Sequence, residues 1–157
     1  MKVYFLRHGD AGDPETWQGD DAERPLSAEG RERTALEGRA LASMKLKLDA
    51  MLTSPLLRAR QTAALVAEAL KMRVDDDERI VNLNARKLQD IVKDHRDADA
   101  VMLVGHEPSM SETISDVVGG GRIDLKKGGL ACFEVRDETC DRGRLLWLIP
   151  PKVLAEK

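Results

Sequence analysis

Ala100-Val101-Met102-Leu103-Val104 is an unbroken apolar run with no polar residue in alternation. A strand with one wet face alternates apolar and polar side chains; a run like this one needs cover on both faces. The architecture that supplies it is a mainly parallel sheet with helices on either side. The chain is therefore expected to fold as a three-layer α/β/α sandwich.

The remaining segments fit that plan. Residues 2–6 are strand formers. Residues 9–24 are polar, with Gly, Asp and Pro, and read as a long loop. Ser27 stands where a helix cap belongs, and Leu36, Ala40, Leu41, Met44 and Leu48 recur at helical spacing. A short apolar stretch at 49–53 reads as a second strand. Ser54-Pro55 then reads as a cap followed by Pro at the first helical position, opening a helix through Leu70. Asp75-Asp76-Asp77-Glu78 is expected to be a solvated turn, and 84–95 and 109–118 to be helices, the second ended by Gly119-Gly120-Gly121. Residues 130–135 and 144–149 read as two late strands, with a hairpin between them.

The chain has 157 residues, of which 42% are hydrophobic, enough for one full core; a single domain over 1–157 is expected. A net charge of −3 and 3% aromatic residues argue against a nucleic-acid binder, which needs basic patches or stacking platforms. No apolar run approaches the ~20 residues of a membrane span. The first residues do not read as a signal peptide, so a cytoplasmic protein is expected. Cys132 and Cys140 are too few for a disulfide scaffold and lack metal-site spacing. Cys132 should be buried in its strand and Cys140 exposed in a polar stretch. His95, Trp17 and the Lys126-Lys127 pair read as surface features.

Three places share one geometry. Arg7-His8-Gly9 follows the first strand, Arg58 lies in the first turn of the helix after the second strand, and Gly105-His106-Glu107-Pro108 follows the buried strand. In open α/β sheets the ligand crevice lies beyond the carboxyl ends of the strands. Two Arg and two His, distant in sequence, are thus expected at one crevice, where helix N-termini add free N–H groups. Such a cluster suits a phosphoryl group, for which Arg is the natural bidentate partner. A neutral imidazole can attack phosphorus, splitting one hard displacement into two easier ones. No metal or cofactor is then required, and no Walker A sequence is present: Arg122 follows the three glycines.

Leu6-Arg7-His8-Gly9 resembles the signature of the histidine phosphatase superfamily, whose fold is phosphoglycerate-mutase-like. Ser54-Pro55-Leu56-Leu57-Arg58-Ala59-Arg60-Gln61-Thr62-Ala63 is similar to its second motif, and Val104-Gly105-His106-Glu107-Pro108 to its third. The small size, Arg7-His8-Gly9-Asp10-Ala11, Arg24-Pro25-Leu26-Ser27 and Gly129-Leu130-Ala131-Cys132 resemble the short SixA-type phosphohistidine phosphatase branch. The resemblance spans residues 2–149. It implies that His8 is the phosphorylated nucleophile, that Arg7 and Arg58 bind phosphate oxygens beside Gly9 and Asp10, and that His106 stabilises the transferring group. It also implies a phosphorylated partner protein, a histidine phosphotransfer domain of a phosphorelay, as substrate.

Larger members carry a leaving-group acid on an insertion, which this chain is too short to hold. Asp10 and Glu107 are the carboxylates that could replace it, and another branch of the superfamily places its acid directly after the second histidine. Two further readings stay open: a phosphomonoesterase for a small metabolite with Glu107 or Asp10 as acid, and a phosphate-binding module without turnover. His8, His106, Asp10 and Glu107 as ligands of a divalent ion is the weakest, because two Arg would repel the cation.

Overall fold

The computed structural model describes residues 1–155. Its centre is a six-stranded sheet in the order β3-β2-β4-β1-β5-β6. The strands are β1 (Lys2–Arg7), β2 (Ala50–Thr53), β3 (Asp75–Asp76), β4 (Ala100–Gly105), β5 (Leu130–Glu134) and β6 (Arg144–Ile149). The first four run parallel; β5 is antiparallel to β1, and β6 to β5. The helices are α1 (Ala28–Ser43), α2 (Leu57–Leu70), α3 (Ala85–Asp94), α4 (Ser109–Val118) and a short α5 (Pro151–Leu154). Among the described residues no helix is long and apolar enough to cross a membrane.

Every residue of β4 is buried, as the unbroken apolar run requires. Side chains alternate across a strand, so β1 and β4 serve two cores. Val3, Phe5, Val101 and Leu103 pack with α3 and α4, where Leu88, Ile91, Met110 and Ile114 are fully buried. Tyr4, Leu6, Met102 and Val104 face the opposite way, onto Leu41 of α1 and the small stripe Ala59, Ala63 and Val66 of α2. Phe5 and Phe133 meet edge-on at 4.8 Å and close the first core.

The expected α/β/α sandwich is thus present, with local differences. The first helix stops at Ser43 although apolar spacing continues to Leu48; Lys45 takes a left-handed φ of 54°, which breaks the turn. The second helix starts at Leu57, with Leu56 extended at the cap position and no side-chain cap; Ser54 Oγ accepts from the Leu56 amide, ahead of the helix. Asp75 and Asp76 pair with Leu52 and Thr53 as a short edge strand and are not a free turn. Cys140, expected to be exposed, is only 3% accessible, and burial pushes its thiol up to about 11. His95 is half-buried and accepts a structural task, its ring bonding the Ile91 carbonyl at the end of α3.

Candidate active site

β1 and β4 lie side by side in parallel, with Arg7 opposite Gly105, so the residues that follow them emerge together. The His8 amide donates to the Gly105 carbonyl at 3.0 Å, and the rings of His8 and His106 lie 5.3 Å apart. The turn after β1 is held from three sides. The Gly128 amide donates to the carbonyls of both Arg7 and His8 at 3.1 Å, and the Gly9 amide donates to Thr62 Oγ1 of α2.

His8 is 7% exposed. Its Nδ1 lies 2.7 Å from the Gly9 carbonyl. A carbonyl only accepts, so Nδ1 carries the proton and the Nε2 lone pair is free. Burial lowers the His8 pKa to about 3, opposed by the Gly9 bond and reinforced by His106, Arg58 and Arg7. His106 is equally buried, and burial with the nearby Arg58 cation lowers it to about 4. Both imidazoles are therefore neutral near neutral pH. Ser54 Oγ sits 2.7 Å from His106 Nε2 and accepts from the Leu56 amide. Its O–H can donate to Nε2, which leaves the His106 proton on Nδ1.

Arg7 ends β1 and donates from Nη1 to the Leu125 carbonyl at 3.0 Å. Arg58, in the first turn of α2, donates from Nη1 to the Asp21 carbonyl at 2.9 Å and from Nη2 to its carboxylate at 3.1 Å. Desolvation lowers both guanidinium pKa values, yet Arg remains charged at any ordinary pH. Three buried nitrogens of this cluster have no partner among the described residues: Arg7 Nε, Arg58 Nε and His106 Nδ1. Buried N–H groups left unpaired are costly, so their convergence at strand ends marks a place for an acceptor-rich ligand.

The two candidate acids are held differently. Asp10 accepts from Ser27 Oγ at 2.7 Å and from Lys127 Nζ at 3.1 Å. The Ser27 bond, with Lys127, lowers its pKa, opposite to what an acid needs. Both oxygens of Glu107 accept from Ser111 of α4, one from the amide at 2.9 Å and the other from the hydroxyl. Lys126, meanwhile, pairs with Asp124, and Trp17 donates to the Asp20 carbonyl within its own loop.

Sequence reasoning passed over Asp21. It sits on a short 3₁₀ turn in the long loop, 37 positions from Arg58, and also pairs with Arg24 at 3.1 Å. Arg24 is 8% exposed and donates to the Ala11 carbonyl at 2.8 Å, tying the loop back on itself. An acidic residue in a polar loop carries no sequence signal of such a partner.

The chain is similar to known proteins in sequence and in fold. An uncharacterised protein of Picosynechococcus sp. is 34% identical over 140 residues, covering 83% of this chain and 82% of that protein. The phosphohistidine phosphatase SixA of Escherichia coli is 35% identical over 72 residues, 46% of this chain and 43% of SixA. A solved structure of the protein histidine phosphatase SixA complexed with tungstate superposes with a TM-score of 0.86 at 22% identity, covering 98% of this chain and 99% of that one. The profile of the histidine phosphatase superfamily, branch 1, matches residues 3–97, which hold the first strand, the Arg7-His8-Gly9 turn and Arg58. The chain belongs to that superfamily.

Proposed function

We propose that the chain is a phosphatase that removes phosphate from phosphohistidine on a partner protein, through a covalent phospho-His8 intermediate. The observation that carries the reading is the pairing of opposites at the strand ends. A neutral His8 with a free Nε2 lone pair stands beside three unpartnered buried donors on Arg7, Arg58 and His106.

In the first step His8 Nε2 attacks phosphorus and a new N–P bond forms. The substrate's P–N bond breaks, and its electron pair goes to the leaving imidazole nitrogen. When the other ring nitrogen of the substrate is protonated, the group departs as neutral imidazole and needs no acid from the enzyme. Arg7, Arg58 and His106 Nδ1–H hold the three phosphoryl oxygens, where charge must be stabilised throughout. The arriving dianion also raises the affinity of His106 for a second proton. Water then attacks phosphorus on phospho-His8, releasing inorganic phosphate and the free imidazole.

The choice of a P–N substrate rests on two supports. The partial likeness to SixA is one. The other is that neither candidate acid is free, since the pKa of Asp10 is held low by Ser27 and Lys127 and both oxygens of Glu107 accept from Ser111. An alkoxide leaving group would need an acid in reach.

The test is release of phosphate from a phosphohistidine-bearing phosphotransfer domain by wild type and His8→Ala. Release by wild type alone, with phosphate binding retained in the variant, is expected. Turnover only of small phosphomonoesters would replace this substrate with a metabolite. No turnover of either would reduce the chain to a phosphate-binding module.

A further inference from the structure

Beside the phosphoryl site, and sharing the wall formed by Gly9 and Asp10, lies a second cavity of about 250 Å³. Its other walls are the face of α1 carrying Gly30, Thr34 and Glu37, and the turn carrying Lys127. Glu37 is 2% exposed and Thr34 1%. Both hold a buried oxygen, Glu37 Oε2 and Thr34 Oγ1, with no hydrogen-bond partner among the described residues. A surface-helix glutamate can turn to water at no cost; this one points inward, against Gly128, where an added Cβ would lie 2.5 Å from its carboxyl. Thr34 Oγ1 reaches the nucleophile's turn, 2.6 Å from where a Cβ on Gly9 would stand.

We propose that this cavity is a binding site for a primary ammonium group, with Glu37 and Thr34 as its acceptors. The unpartnered atoms are acceptors, and an ammonium brings three donors. Around them stand the carboxyls of Asp10 and Glu29 and the cations of Arg33 and Lys127. Lys127 is tied to Asp10, so their charges offset each other. Arg33 lowers the Glu37 pKa from a distance but makes no hydrogen bond to it. While Glu37 holds its proton, the carboxylates of Asp10 and Glu29 offset the cations of Arg33 and Lys127; ionised Glu37 adds the one net negative charge that favours a positive guest. The volume is below that of drug-sized pockets, which start near ~300 Å³, and suits a short alkyl amine or one lysine-like side chain.

Burial raises Glu37 to about 8, so near neutrality the empty site holds a proton there. An arriving ammonium displaces that proton to solvent and leaves an ion pair. Binding should therefore tighten as pH rises toward 8, well below the ~10.4 at which an alkyl amine loses its own charge.

The site can be read without turnover, so its fate is separate from that of the phosphatase reading. The probe is n-butylammonium chloride added to ¹⁵N-labelled protein at constant ionic strength, with n-butanol as the uncharged control. Saturable shifts of the Gly9, Gly30 and Gly128 amides are expected, tighter near pH 8 than near pH 6 by up to about fiftyfold, the ratio of ionised Glu37 at the two pH values. Glu37→Gln should weaken them about tenfold, the scale of a hydrogen bond to a charged group. Thr34→Val, which keeps the shape, should weaken them less. Equal response to butanol, no saturation, or unchanged affinity in Glu37→Gln at pH 8 would overturn the proposal.

The source of the ammonium is read separately, by adding butylammonium to hydrolysis assays. Competition against a phosphohistidine protein but not against phosphoramidate assigns the cavity to a lysine side chain of the partner. Binding without competition assigns it to a free amine.

Discussion

His8 takes its reactivity in this reading from its surroundings. An exposed imidazole titrates near 6.5, and half the molecules would be protonated there. Burial and three cationic or ring neighbours move His8 to about 3, so its lone pair is available throughout the physiological range. The acid limb of kcat/KM, measured on a substrate stable to acid, is therefore expected below pH 6.5, in the range of the two histidines at about 3 and 4. A limb at 6.5 would mean that another group controls attack. Arg58 can be tested by Arg58→Lys. Lysine keeps the charge but loses the planar fork and the Asp21 bonds. A fall in kcat/KM of about 10²–10³, the scale of one lost charge-stabilising donor, is expected.

At the scale of elements, the start of α1 does two jobs. Ser27 accepts from the Gly30 amide at 3.0 Å as the helix cap, and its hydroxyl donates to Asp10, fixing the loop that follows His8. Ser27→Ala should lower stability by about 1 kcal/mol in urea titration, and it also frees Asp10. Gly30 permits the close approach: a Cβ there would come within 2.1 Å of the Asp10 carbonyl oxygen. Gly30→Ala should therefore cost more than Ser27→Ala, because backbone and not a side chain must move. These couplings explain what the sequence could and could not tell. The unbroken apolar β4 and the strand-end positions of Arg7, His8, Arg58 and His106 followed from pattern and general sheet geometry. The hold of Asp21 on Arg58, the contact of Ser54 with His106, and the burial of Cys140 depend on where loops return. Short-range periodicity carries no record of that.

For the whole molecule, buried titratable groups set the response to pH. His8 and His106 resist protonation when folded, whereas the unfolded chain takes those protons near 6.5. The unfolded state thus binds more protons between about 4 and 6.5, and stability rises with pH across that window. Glu37 acts in the opposite sense. Folded, it keeps its proton to about 8; unfolded, it loses it near 4.5. Its contribution falls as pH rises between those values, and above 6.5 it acts without the histidines opposing it. Urea midpoints should peak near pH 6.5 and decline toward 8, by up to about 1.4 kcal/mol per pH unit for one proton. Glu37→Gln should flatten the decline; a wild-type curve flat from 6.5 to 8 would place Glu37 in a wetter setting.

The strand that carries His8 is synthesised well before the two strands that hold it. β1 lies between β4 and β5, whose pairing residues begin at Ala100 and end at Glu134. On a ribosome adding about 5–20 residues per second, its apolar segment waits on the order of ten seconds for both neighbours. During that interval Val3-Tyr4-Phe5-Leu6 is an unpaired, uncharged strand, the kind of segment that seeks other edges. A nascent chain of this protein is thus a natural client for a chaperone that shields this segment. Arg7 and His8 come beside His106 only when β4 has joined β1.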